Sequence, residues 1–485
     1  MLGPIFALIV TCVMVRFLLK KYQAHLLLTV AGFVLLYFAI FMNLGDPAGT
    51  TTAILKKIKP SGLVWFEPIN FFTSTLASRA AGLGMLIMAA SGYAKYMDKI
   101  GASRVLANTL VKPLRLLKSP YLVVGLAYLV GQFLNIFIPS ASGLAMLLMV
   151  TIYPVLLRLG VSPLAAAACV GTTGALDLGP ASGNANLAAT QANLDVMVYF
   201  VKYQIPAGTV VALAIAIAHS FTQKIMDAKD KWTASEEDLA AHEAAAKAEN
   251  EAPGLYIILP VLPLVVLLVF SLPGLIASFV KATDPEMAQM LTSMAIAKIK
   301  VSVPMAMFGC GFIAIACEII RFRGEVKEVF KGFMAFFDTM GTQFARVITL
   351  IVAGETFARG LEATGAVDAV IKGAQSFSIG ATGIIIVMTL LIAVSAVIMG
   401  SGNAPFFAFA ALAPKVSAEM GVAAVAIAMP MQLVAGIARG ISPITAVIVA
   451  TAGLANLNPF DLVRRTAIPM AVGVIATIVM GIILE

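Results

Sequence analysis

Charge is scarce in this chain of 485 residues: Asp, Glu, Lys and Arg together make up 12%, about half of what a soluble globular domain carries. Histidine is scarcer still, with His25, His219 and His242 scattered along the chain. General acid–base catalysis and zinc hydrolysis lean on that residue. Glu243 follows His242, but no second histidine stands four residues on, so a zincin helix is excluded. The four cysteines, Cys12, Cys169, Cys310 and Cys317, form no CxxC pair and all lie in apolar stretches. A disulfide framework and a structural zinc site are therefore unsupported. The net charge of +8 is the modest basic excess that membrane proteins keep on their cytoplasmic side, not a nucleic-acid footprint.

What is abundant is apolar. Hydrophobic residues reach 60%, against about 45–50% in soluble domains, and the mean hydropathy is +0.97. Apolar runs of about 18 or more residues recur along the chain, each long enough to cross a bilayer. The composition describes an all-α polytopic membrane protein with the lipid bilayer as its solvent, and excludes a soluble enzyme. No charge precedes Arg16 and no small-residue cleavage site follows the first run, so Met1–Leu19 reads as a retained span and not a signal peptide.

The runs fall into two groups around the longest polar stretch, Gln223–Pro253, which reads as an exposed, partly helical linker on the cytoplasmic side. The flanks, 1–222 and 254–485, look alike. Ser142-Gly143 recurs as Ser401-Gly402, Gly160-Val161 as Gly421-Val422, Gly179 as Gly440, Ile205-Pro206 as Ile468-Pro469 and Gly101-Ala102 as Gly365-Ala366, at offsets between 259 and 264. Five ordered matches within so narrow a spread predict an internal repeat. Each half reads as three spans, a connector, a hairpin, a broken span and a last span. In the first half these are Leu2–Leu19, Leu26–Met42, Ala80–Tyr96, Ala102–Leu117, Tyr121–Leu159, Pro163–Asn193 and Gln204–Phe221. In the second they are Tyr256–Phe270, Val301–Ile320, Phe344–Gly360, Ala366–Phe377, Ala381–Val416, Val422–Ala455 and Thr466–Leu484. If each hairpin re-enters on its own side, every half crosses five times and the second is inverted. That arrangement puts 21 of the 33 Lys and Arg inside and 11 outside, with Arg439 in a span, as the positive-inside rule requires. Two inverted repeats with ten crossings are expected.

Four polar, Gly-rich interruptions stand where apolar helix should run. Hairpin one turns at Pro139–Gly143, with Ser140, Ser142 and Gly143, and the first broken span carries Asp177–Asn186, with Ser182, Gly183, Asn184 and Asn186. Hairpin two turns at Gly400–Pro405, with Ser401, Gly402 and Asn403, and the second broken span carries Arg439–Thr445, with Ser442 and Thr445. Unwound backbone at membrane depth survives only where protein or a water-filled cavity satisfies it. Its helix N-termini offer N–H groups to carboxylates, and its C-termini offer carbonyls to a small cation. Paired breaks in two halves point to a transporter's substrate and ion site. Small-residue helix packing is the alternative at each site taken singly. Arg439 is suited to a carboxylate through two parallel hydrogen bonds; a structural ion pair is its plainer role. Asp177 suits a coupling ion, Na⁺ or a proton, or else a helix cap, and Asn186 is a second coupling-ion candidate. Glu355, near a span end, is a weaker candidate.

Ser401–Phe407 (SGNAPFF), Arg439–Thr445 (RGISPIT) and Asn458–Pro469 (NPFDLVRRTAIP) resemble the DcuC family of anaerobic four-carbon-dicarboxylate carriers of bacterial inner membranes. Gly92–Ile100 (GYAKYMDKI), Ser119–Leu122 (SPYL) and Pro180–Gly183 (PASG) extend the likeness along nearly the whole chain. The resemblance implies inverted repeats with re-entrant hairpins and a homodimer. It also implies succinate export against fumarate and proton- or sodium-coupled uptake of fumarate, malate, succinate or aspartate. Where the family places an acid after the Ser-Gly of the first break, this chain has Asn184, which bears on the coupling ion. A carrier of another small organic anion or amino acid is the main rival, ahead of an intramembrane enzyme or a channel.

Overall fold

The computed structural model describes residues 2–20, 22–55, 58–117, 119–233, 252–281, 283–369 and 380–485. Most of the expected connector Ala366–Phe377 and of the linker lies outside them. Among the described residues all regular structure is helical. Helix starts follow local chemistry: Ser162 precedes Pro163 and accepts from the Ala165 N–H at 3.1 Å, and Asn458 precedes Pro459 and accepts from Phe460 N–H at 2.9 Å. A side-chain acceptor at the N-cap and a proline in the first turn spare the donors that a helix start leaves unpaired.

Eight helices among the described residues are long and apolar enough to cross a membrane, among them Ala24–Met42, Val303–Arg321, Ala381–Met399 and Pro459–Ile483. Large apolar side chains such as Phe41, Phe279, Phe312 and Val479 stay exposed on their outer faces, where lipid would meet them. The third span of each half is longer than its apolar run announces. A continuous helix runs from Glu67 through a π-helical turn at Ala80–Gly84 to Lys99, and another from Val326 through a π-helical turn at Phe344–Ile348 to Ala363. The early halves hold Glu67, Arg79, Lys327, Glu328, Lys331 and Asp338, and this polarity hides them from a search for apolar runs. The two π-helical turns are 264 residues apart, the offset of Gly101 and Gly365, and they touch each other.

The halves interlock. Ala24–Met42 packs on Thr349–Ala363, and Met85–Lys99 packs on Val303–Arg321 and Val326–Gln343. The last spans, Ile205–Lys229 and Pro459–Ile483, also pack together. Ile205–Lys229 extends into the stretch read as linker, so Gln223 and Asp227 are buried. Asp227 there accepts from Arg465 Nη1 and Ser162 Oγ, each at 2.6 Å, and from Tyr121 Oη at 3.1 Å, while Arg465 Nη2 reaches Asp230 at 2.6 Å. One carboxylate thus ties hairpin one, the start of the first broken span and both last spans. Removing one partner from such a buried pair typically costs about 3–5 kcal/mol, so this cluster is a fixed joint of the fold. Glu355 is also structural in its contacts: it pairs with Arg79 at 2.8 Å across the halves.

Candidate functional site

Neither arm of a broken span crosses a bilayer alone. Pro163–Thr172 and Gly183–Gln191 have 10 and 9 residues, or about 15 Å each, half of a hydrocarbon core of about 30 Å. Between them the chain turns through Thr173–Ser182, where Gly179 (φ 96°) and Asp177 (φ 48°) take left-handed backbone. Aspartate is among the few side-chain-bearing residues enriched in that region. Ser182 Oγ accepts from the Ala185 N–H at 3.3 Å and restarts the helix.

The unwound backbone finds its partners in amides from other elements. Gln432 Nε2 donates to Leu176 O at 2.9 Å, and Asn135 Oδ1 accepts from Leu178 N–H at 3.3 Å. Gln204 donates to Asp177 O at 3.3 Å and accepts from Gly179 N–H at 3.0 Å. Gln204 also donates to Gln432 Oε1 at 3.0 Å, where Tyr199 Oη donates at 3.1 Å. Both glutamines are wholly buried. Asn186, expected as a coupling-ion candidate, instead braces the turn, donating to Pro180 O and Ser182 O, both at 2.7 Å.

The second break is tighter. Between Ala424–Arg439 and Ala446–Leu454, Gly440, Ile441 and Ser442 N–H donate to Ile437, Ala438 and Arg439 carbonyls, and Thr445 Oγ1 donates to Arg439 O at 2.8 Å. Its backbone is largely satisfied within itself; Thr445 braces the turn that carries Arg439, the buried Ser442 hydroxyl has no partner among the described residues, and neither residue lines the cavity described below. Two glycines let the breaks meet. A Cβ on Gly436 would lie 2.0 Å from Ala175 O, and one on Gly402 would lie 2.1 Å from Ala435 O; only a residue without a side chain permits such approaches. Gly402 serves this contact, and it and Ser401 stay outside the cavity lining.

A cavity of about 680 Å³ opens where both hairpin tips and both breaks converge, within the range of about 300–1,000 Å³ usual for small-molecule sites. Of the residues expected at the site, Ser140, Ser142, Gly143, Asp177, Ser182, Gly183, Asn184, Asn403 and Arg439 line it. Ser140 Oγ accepts from Gly143 N–H at 3.2 Å and caps the helix Ala141–Thr151, whose first residues face the space. The charges are paired: Arg439 Nη2 donates to Asp177 Oδ1 at 3.0 Å and to Gly174 O at 2.6 Å. Asn184 Nδ2 bridges Asp177 Oδ2 at 2.8 Å and Asn403 Oδ1 at 3.0 Å. The side chains of Arg439 and Asp177 are only 12% and 9% exposed, so each charge depends on the other. Arg439 is also the last residue of its helix, where the dipole favours a cation. The chain order concealed one partner type altogether: Asn135, Gln204 and Gln432 are lone amides in apolar runs, and their only local signal was polarity at membrane depth. Among the described residues no cluster of three His, Cys, Asp or Glu is arranged to hold a metal ion.

A helical membrane protein with a polar, ion-paired cavity at interrupted helices has the build of a transporter, and comparison with known proteins agrees. Residues 2–485 match the family model of DcuC, the C4-dicarboxylate anaerobic carrier. The chain is 31% identical over 479 residues to the probable anaerobic C4-dicarboxylate transporter DcuC of Vibrio cholerae, covering 99% of this chain and 97% of that one. It is 32% identical over 471 residues to the anaerobic C4-dicarboxylate transporter DcuC of Escherichia coli K12, covering 96% and 93%. Among solved structures, Neisseria gonorrhoeae MtrF, from a class described as antimetabolite efflux pumps, superposes with a TM-score of 0.57 at 16% identity over 86% of this chain and 83% of its own. The Alcanivorax borkumensis YdaH transporter does so with 0.53 at 14% identity over 93% and 98%. The chain belongs to the DcuC family: it is a multi-pass membrane transporter, not an enzyme.

Proposed function

We propose that the chain is a secondary carrier of C4 dicarboxylates in a bacterial inner membrane, with the substrate seated in the cavity at the helix breaks. The observation that carries this reading is Arg439, nearly buried at that cavity and held by Asp177 at 3.0 Å. A buried guanidinium offers a carboxylate two parallel hydrogen bonds, and Asp177 occupies one of its nitrogens, where a substrate carboxylate would compete for it. An incoming carboxylate displaces Asp177, which is then open to the coupling ion, Na⁺ or a proton; return of the pair closes the cycle. Exchange of succinate against fumarate needs only the loaded carrier, whereas net uptake needs the coupling ion at Asp177.

Inverted repeats with re-entrant hairpins fit this reading. They are supported by the paired breaks, by the two touching π-helical turns 264 residues apart and by half-length helix arms. Lys95 and Arg104, assigned to the inside by charge, also line the cavity, which supports an inward-open state.

Occupancy of the cavity is tested at Ala181, which lines it and is buried. Ala181→Cys, in a chain whose four native cysteines are replaced by alanine, should be alkylated by a small soluble maleimide. Succinate should slow that reaction about tenfold at saturation, and butyrate should leave it unchanged. Equal alkylation rates with and without succinate would place the substrate elsewhere.

A further inference from the structure

The cavity reaches past the breaks to a basic rim that the substrate site does not use. Lys95 and Asp98, each 55% exposed at the side chain, lie at its mouth with Arg104, also exposed. Ser103 stands beside Arg104 on the first turn of the helix Ala102–Val111. It lines the same space, is 1% exposed, and its hydroxyl has no hydrogen-bond partner among the described residues. A buried hydroxyl left unpaired is costly unless something in the cavity takes its hydrogen bond. Asp98 is the carboxylate at this rim, paired with Lys95 at 3.5 Å. An exposed pair of that length binds weakly, and Lys95 with Arg104 leaves the rim one positive charge in excess.

We infer that Lys95, Ser103 and Arg104 form a second carboxylate site at the cavity mouth, where a C4 dianion docks before it reaches Arg439. The inference rests on the substrate reading above and adds a staging step to it. Ser103 Oγ donates to one carboxylate oxygen, and Arg104 with Lys95 supplies the charge that draws the dianion in. The exposed charges act on capture, and the nearly buried pair deeper in acts on transport itself. A charged, low-dielectric mouth raises association rates by about 10- to 1,000-fold, and salt erodes the gain.

The test is succinate exchange by the full chain, the opposite side held at saturation, in right-side-out and inside-out proteoliposomes. Arg104→Gln should raise the half-saturation concentration about tenfold at low salt from the face where the cavity opens. It should flatten the salt dependence there and leave the maximal rate and the opposite face unchanged. Arg104→Lys should restore most of the effect, and Ser103→Ala should raise half-saturation several-fold without altering the salt slope. A purely structural role for these residues would move both faces together, and that result would overturn the inference. Variants that match a transporting wild type on both faces would overturn it alone, with the break site intact. A wild type that moves no dicarboxylate would overturn the substrate reading and this inference with it.

Discussion

Arg439→Ala in proteoliposomes is expected to lose succinate uptake by two to three orders of magnitude while remaining inserted in the membrane. Two negative charges enter a site where helix ends and hydroxyls offer only partial positive charge, and Arg439 is the nearly buried cation that lines it. Removing one partner of such a pair costs about 3–5 kcal/mol, and each 1.4 kcal/mol is about tenfold in affinity. Arg439→Lys keeps the charge without the fork geometry and should retain a small fraction of the wild-type rate. Because the alanine variant strands Asp177, the double variant Asp177→Asn/Arg439→Gln provides the control: both charges are gone, the fold is spared an unpaired carboxylate, and transport should still be absent. Near-normal half-saturation in either variant would make Arg439 a structural residue and leave the carboxylate to the helix N-termini.

Asp177→Asn is expected to separate exchange from net transport. Asparagine accepts the left-handed backbone found at this position (φ 48°), and its side-chain oxygen can still accept from Asn184. What is lost is the negative charge that neutralises Arg439 when the site is empty. Moving an uncompensated buried guanidinium through the transition between the two faces should slow return of the empty carrier by two orders of magnitude or more. The loaded carrier brings its own carboxylate. Succinate–succinate exchange should therefore persist near the wild-type rate, with lower half-saturation because no internal acid competes. Accumulation driven by a sodium or proton gradient should collapse. Loss of both activities would make Asp177 part of the substrate cradle, and retention of both would reduce it to a helix cap.

The parts of this protein that sequence exposes are the ones encoded in short-range pattern. Apolar runs located the spans, and Gly179-Pro180, Gly400–Gly402 and Gly440 marked the places where helix gives way. The longer third helices stayed hidden because residues such as Glu67, Arg79, Lys327 and Asp338 break the apolar signal before the π-helical turns. The Asp177–Arg439 pair spans 262 residues of sequence, a distance at which no local spacing reports contact. The same is true of Gln204 and Gln432, 228 residues apart, whose amides replace the hydrogen bonds that the first break surrenders. Ser401 and Gly402 open the motif SGNAPFF, yet neither lines the cavity, and Gly402 packs against the Ala435 carbonyl. The motif there reports a close approach of backbones. In sequence Arg104 shows only its charge, and Lys95 only its charge and its place in the Gly92–Ile100 motif, because nothing in the chain order tells that the connector's first turn reaches the cavity mouth.

Counterflow reports which anions the cavity accepts without altering a residue. Proteoliposomes carrying the wild-type chain are loaded with unlabelled succinate and diluted into a trace of labelled succinate, alone or with an excess of one competitor. Transient accumulation of label is expected, abolished by fumarate and malate and untouched by butyrate or a neutral amino acid. Counterflow that responds to monocarboxylates or neutral amino acids and ignores dicarboxylates would contradict the assignment of this cavity to C4 dianions.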